Sequence, residues 1–364
     1  MSIQGATSKQ VVGAPTARPG VAGRAGRPVD RPARAARFLG AVGLAVIALV
    51  IVPHLLSPSP LETAELVVVA VLFATSSNLL IGMGGVPTFG QAAFYGTGAY
   101  AVGTLTGHVS DPLVSLLVAT ALGGAAGLVM SAFVFRVRGL AFVMVTLAIA
   151  QIMYTVLLQN NLLGGYSGLA GLLPGSIAGW SASTISGTWF LIGGIVILAM
   201  AVLWWVYRTP FVRSVTALRE DPTRATYLGI EQTKVLTIAT VIAASGTALA
   251  GGLSAYATTT VSPTALYWTT SAGVVVMCVL GGRRRFFGPA VGAAVYTIAV
   301  QELGITWTWY YLPLGIGILL VVMAFPRGLV EVLVQLTRLR AGRVGMTLLR
   351  ARYEALLARR SADG

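Results

Sequence analysis

Charge is what this chain has least of. Asp, Glu, Lys and Arg make up 10% of its 364 residues, while 56% are hydrophobic. Soluble domains carry about 25% charged residues, so the composition excludes one and indicates a multi-span membrane protein. The single cysteine, Cys278, excludes an internal disulfide, and its place inside an apolar run reads as a small packing residue. The two histidines, His54 and His108, lie far apart, so no zinc site assembles, and neither has a carboxylate placed for a relay. The only lysines are Lys9 and Lys234, and neither follows glycine, so there is no GxxxxGK[ST] phosphate loop. Any ATP hydrolysis must come from another chain. Ionisable groups inside spans mark proton-coupled carriers. The best candidate here is Glu302, near the end of an apolar run, with Glu62 and Glu65 at the edge of another.

What the chain does have is apolar runs separated by basic gaps. About 20 apolar residues cross a hydrocarbon core. Ten runs qualify as spans: 38–56, 62–81, 92–108, 113–135, 139–160, 187–207, 235–256, 268–282, 286–305 and 310–326. Placing the N-terminus inside and alternating puts all 25 Lys and Arg in the inner segments and none in the outer loops. That separation predicts ten spans with both termini in the cytoplasm. The net charge of +14 thus orients the chain in a bilayer, and no nucleic-acid partner is indicated. Residues 1–37, rich in Arg, Pro, Ala and Gly, read as a disordered basic cytoplasmic tail. They are too long for the basic leader of a signal peptide, so the first run is expected to stay as a span. The transmembrane domain is expected over 38–330 and a second basic tail over 331–364, either an interfacial helix or solvated.

The polar stretch 208–234 stands between two apolar runs and reads as a soluble loop. Asp221-Pro222 is a helix start, because Asp caps and Pro fits the first helical position. Gly229 ends that helix about two turns later. A short capped helix on a membrane surface suits docking of a cytoplasmic partner; an ordinary amphipathic loop is the alternative. Two runs, 92–108 and 268–282, are short for a crossing, and the first holds Gly96, Gly98, Gly103 and Gly107. Short, Gly-interrupted segments accompany broken or re-entrant helices beside a transport path. Close packing through small residues is the preferred reading for most of these glycines. The turns Gly84–Gly90 and Gly281–Gly288 resemble each other, through an internal repeat or through shared turn chemistry.

Six blocks in order then resemble one family. They are Asn78-Leu79-Leu80-Ile81-Gly82 with Phe89 to Tyr100; Arg138-Gly139-Leu140-Ala141-Phe142 through Thr146 and Gln151; and Gly164-Gly165-Tyr166-Ser167-Gly168-Leu169. Thr209-Pro210-Phe211-Val212-Arg213 with Ala217 to Asp221 and Leu228-Gly229-Ile230 follow, then Val279 to Gly282 with Gly288-Pro289, and Phe325 to Leu329. Together they resemble the permease subunits of branched-chain amino acid ABC importers, of the LivM type, over residues 65–330. Arg283-Arg284-Arg285 depart from that family's Gly-rich turn, which leaves their local geometry open, with lipid headgroups or a partner subunit as what they touch.

The resemblance implies an all-α, polytopic, type II-like importer fold of about ten helices in two inverted five-helix halves, in a bacterial inner (plasma) membrane. It implies a second homologous permease, two cytoplasmic ATPases that bind ATP and magnesium, and an extracytoplasmic substrate-binding protein. This chain itself would carry no cofactor and no metal and would be no enzyme. The loop residues Arg213, Arg219, Glu220, Asp221, Pro222, Thr223, Arg224 and Gly229 would couple it to an ATPase, the arginines pairing with acidic groove residues. Gln91, Phe94, Tyr95, Tyr100, Thr146, Gln151 and Glu302 are candidates for the translocation path, with plain helix packing as the alternative for each. Relatives move urea, amides and small carboxylates as well as amino acids, and selectivity would rest largely on the binding protein. The rival class, an ATP-independent carrier or channel, is disfavoured by the scarcity of intramembrane charge and by the large charged loop.

Overall fold

The computed structural model describes residues 58–134, 139–177, 180–181, 183–306, 311–324 and 328–330, with separate positions between 40 and 53. The two basic tails, most of the first expected span, Arg138 and Phe325-Pro326-Arg327 lie outside the described residues. The elements below belong to the unit that runs from Ala45 onward.

That unit is mostly helical. Its helices are α1 (Pro58–Asn78), α2 (Gln91–Leu105), α3 (Pro112–Val134), α4 (Leu140–Gln159), α5 (Ile185–Arg208) and α6 (Pro210–Glu220). They continue as α7 (Pro222–Tyr227), α8 (Gln232–Thr258), α9 (Trp268–Gly281), α10 (Gly288–Thr306) and α11 (Tyr311–Ala324). Helices therefore stand at every expected span from 62–81 onward. Among the described residues, five stretches are long and apolar enough to cross a membrane: Pro60–Met83, Pro112–Ala132, Leu140–Gln159, Ile185–Arg208 and Gln232–Thr258. The all-α expectation needs one small correction. Two two-residue ladders occur among the described residues, one of which pairs β1 (Leu169–Ala170) with β2 (Thr260–Val261) and ties the loop after α4 to the loop after α8.

Local chemistry sets the helix ends. Pro58 and Pro60 open α1, where a missing N–H costs nothing. The same helix loosens into a π turn over Leu79–Met83, closed by Gly84 N donating to Leu79 O at 3.1 Å. Thr184 caps α5 by accepting from Gly187 N at 3.1 Å. Arg208 ends it, its cation complementing the helix dipole and lying 3.5 Å from the centre of the Trp204 ring.

The long α8 is the pillar of the bundle and packs against α1, α2 and α3. Its buried face is small: Ala243, Ala244, Thr247, Ala248, Gly251 and Gly252. A Cβ on Gly98 would run into the Ala248 carbonyl, and one on Gly251 into the Tyr95 carbonyl. The α2 and α8 backbones thus touch, as small residues allow in lipid. On the outside, Met144, Ile152 and Val156 line one exposed face of α4. In water such a face would drive association, whereas in a bilayer it meets a matching solvent.

The two short runs keep their short length. At about 1.5 Å per residue, α2 and α9 are each roughly 21–22 Å long, less than the core thickness of about 30 Å. Neither is broken. They are short because their N-termini meet inside the bundle: Ala92 N donates to Ser271 Oγ at 2.8 Å, and Ser271 Oγ donates to Phe89 O. The glycines of α2 serve packing, with Gly96, Gly98 and Gly103 buried.

Candidate functional site

Two polar regions stand out against the apolar bundle. The first is the charged loop, which folds as two helices where the sequence reading expected one. Thr209 flanks α6 and Pro210 takes its first position, repeating the Asp221-Pro222 start of α7. Val212, Val215 and Leu218 recur every three residues and are buried against Leu79, Ala239 and Leu236. That spacing was the available sign of α6. The expected helix is present as α7, with Asp221 Oδ1 accepting from Arg224 N at 3.0 Å and Gly229 in the left-handed region at φ 82°.

Ala225 fastens α7 to the bundle, while Glu220, Asp221, Pro222, Thr223, Arg224 and Gly229 are exposed. Beside them stand two residues missed in the sequence, Tyr227 at 88% and Leu228 at 75% exposure. Their signal was two large apolar residues closing a capped polar helix just before a glycine. Arg213 on α6 is also exposed.

Arg219 departs from the expected role. Its guanidinium turns inward, with Nη1 donating to Gly82 O at 2.5 Å on the π turn of α1. Its aliphatic stem fills the space where a Cβ of Gly85 would sit, and Gly85 takes φ 66°, so this contact favours glycine there. Burial, then the Arg283 and Arg284 cations, lower the Arg219 pKa from its ordinary value, and Glu220 acts the other way. Arg219 therefore braces the charged loop against α1, and Arg213 and Arg224 are the arginines turned outward.

The second region is a buried seam without charge. Gln91 Oε1, in the first turn of α2, accepts from Ser77 Oγ of α1 and from Thr247 Oγ1 near the middle of α8, both at 3.3 Å. Ser76 and Ser77 reach Thr247 at 3.5 and 3.2 Å. Gln91 Nε2 has no hydrogen-bond partner among the described residues. Towards the π turn, Tyr207 OH donates to Thr75 O at 3.2 Å, and Asn78 Nδ2 donates to Tyr207 OH and Arg283 O, each at 3.4 Å. Thr146 Oγ1 of α4 accepts from Phe89 N at 3.3 Å, which joins it to the segment leading into Gln91.

The path candidates thus divide. Gln91 and Thr146 meet around residues 88–91. Phe94 is buried with Met130, Phe142 and Ala244 as packing. Tyr95 is half-buried, its ring 4.7 Å from Phe73. Tyr100 is buried in the main core, and neither its hydroxyl nor Gln151 Oε1 has a hydrogen-bond partner among the described residues. Glu302 is exposed on α10. Glu65, in the N-terminal half of α1, is 3% exposed, because the helix turns it towards its neighbours. Cys278 is a packing residue as expected, with Sγ donating to Ala74 O at 3.5 Å. No group of three His, Cys, Asp or Glu side chains that could hold a metal occurs among the described residues.

Several apolar helices long enough to span a bilayer, packed around uncharged polar groups, define a multi-pass membrane protein. Residues 59–324 match the family described as branched-chain amino acid transport system / permease component, and the chain belongs to that family. One relative is the high-affinity branched-chain amino acid transport system permease protein LivM of Salmonella typhimurium, 26% identical over 316 residues, which are 80% of this chain and 74% of the relative. The protein of the same name from Escherichia coli is 26% identical over 303 residues, 76% of this chain and 71% of the relative. No solved structure matches the chain significantly.

Proposed function

We propose that this chain is the permease subunit of an ABC importer that moves branched-chain amino acids across a bacterial inner membrane. The observation that carries the reading is the capped α7 with Tyr227, Leu228 and Arg224 exposed, on a loop braced to the spans by Arg219. A rigid helix presenting a tyrosine and an arginine has residues enriched in interface hot spots, and Leu228 adds apolar area beside them. A push on α7 passes through α6 and Arg219 to Gly82, and from there through residues 84–90 to Gln91 at the head of α2. Energy from ATP would thus reach the seam through backbone and packed side chains.

In this reading Mg-ATP is bound and hydrolysed by two partner ATPases, and a second homologous permease completes the path. An extracytoplasmic binding protein delivers the substrate. Ten spans with both termini in the cytoplasm, arranged as two inverted halves, accommodate the basic segments and the meeting of two short helices, α2 and α9, inside the bundle. Branched-chain substrates are drawn from the family and from the two LivM relatives.

Purification of the tagged chain from its own membrane tests the assembly. Recovery of two ATPases, a second permease and a binding protein that takes leucine is the expected result. Recovery of the chain alone, active in liposomes without ATP, would replace the reading with a carrier or channel.

A further inference from the structure

A groove of about 330 Å³ lies between α1, α9 and α10, with Tyr95 of α2 contributing to its lining. Its volume falls at the lower end of the roughly 300–1,000 Å³ typical of small-molecule sites. The α1 wall is apolar: Leu66, Val69, Ala70 and Phe73 form a single helical face. The wall from α9 and α10 differs. Beside the apolar Met277 and Val300 it presents Thr269, Thr297 and Gln301.

Those hydroxyl and amide groups decide what fits. An acyl chain offers no hydrogen bond, so a groove filled only with lipid would give Thr297 and Gln301 no partner on that side. Among the described residues no carboxylate, ammonium or guanidinium lines the groove, so an ion of net charge has no counter-charge there. A neutral zwitterion does fit. Hydroxyls and amides both donate and accept, so one wall can serve a carboxylate and an ammonium together, while the other buries an aliphatic side chain. One groove residue also stands near the seam. Phe73 and Tyr95, in ring contact, both line the groove, and Tyr95 stands one helical turn beyond Gln91.

We propose that this groove is this chain's contribution to the amino-acid path, with Val69 and Ala70 facing the substrate's aliphatic side chain and Thr297 and Gln301 facing its charged ends. The proposal rests on the importer reading above and names the specificity-determining surface within it.

The single native cysteine makes the test direct. In the complete complex, Cys278→Ser removes this chain's only thiol, Ala70→Cys, Thr297→Cys and Val295→Cys each add one, and labelling is read on this chain after the subunits are separated. Val295 is the control, 45% exposed and outside the groove lining. Each variant is first checked for co-purification with its ATPase, then treated with a cationic methanethiosulfonate reagent, with and without leucine-loaded binding protein. Thiols in water ionise and react, whereas thiols in lipid do not. The expected result is labelling at Ala70→Cys and Thr297→Cys about tenfold or more faster than at Val295→Cys, with leucine slowing it severalfold.

Equal or absent labelling in a complex that still imports leucine would overturn the groove while leaving the importer reading intact. Fast labelling that leucine does not slow, in a complex that imports leucine, would also overturn the groove as a substrate site. A complex that imports no branched-chain amino acid, yet is protected by urea or a small carboxylate, would overturn the substrate class and keep the path.

Discussion

The charged loop and the buried seam both hold polar side chains, but they do so for opposite reasons. In the loop the polar groups face water, and the fold is local: Asp221 caps a helix three residues away. In the seam they face one another across helices, Ser76 and Ser77 meeting Thr247 some 170 positions along the chain. The first region presents charge at a surface. The second keeps every group neutral where an unpaired charge would be expensive. Arg219 links the two, rooted in α6 and bonded to the π turn that ends α1.

The largest expected effect breaks the seam and leaves the loop sequence untouched. Gly98→Leu forces a side chain into the Ala248 carbonyl, next to Thr247, and should cost about 3 kcal/mol or more. Thermal unfolding of the purified chain should fall by many degrees, and assembly with it; an unchanged melting temperature would contradict the close α2–α8 contact.

Cutting the link between the regions comes next. Arg219→Ala removes a charge-assisted hydrogen bond of about 1.5–3 kcal/mol and its packing over Gly85. The complex should still assemble and hydrolyse ATP, with less substrate moved per ATP; Arg219→Lys should restore only part. An unchanged transport-to-hydrolysis ratio would show that the brace carries no force.

Tyr227→Ala sharpens the contrast from the loop side. An exposed aromatic that docks on a partner is worth about 2 kcal/mol, roughly a thirtyfold loss of ATPase affinity, with no change in the stability of the isolated chain. Equal affinity in a pull-down titration would move the contact elsewhere on the loop. Smallest is Asp221→Ala, about 1 kcal/mol through loss of the α7 cap. Hydrogen exchange should rise at residues 223–228 and stay constant at Gln91.

These two regions also show how far the sequence could be read. The loop was legible because capping, Pro placement and Gly termination are short-range rules, and they gave α7 with its ends. It was misread at Arg219, since a charged residue on an exposed-looking helix gives no sign that a carbonyl on α1 lies within reach. Helix positions were legible from apolar length. The shortness of α2 and α9 was visible too, but its cause, two N-termini meeting at Ser271, depends on tertiary contact. The seam was the least legible part. Ser76 donates to the Leu72 carbonyl of its own helix, so in sequence it reads as a small packing residue. Gln91 and Thr146 were singled out, whereas Ser77, Thr247 and Ser271 were not, because nothing local separates a hydroxyl that packs from one that bridges.

The most direct measurement of the central claim is leucine uptake by proteoliposomes, comparing the complete complex with this chain alone, each with and without internal Mg-ATP. The account predicts uptake only by the complete complex and only with ATP. Uptake by the chain alone, or uptake indifferent to ATP, would contradict it.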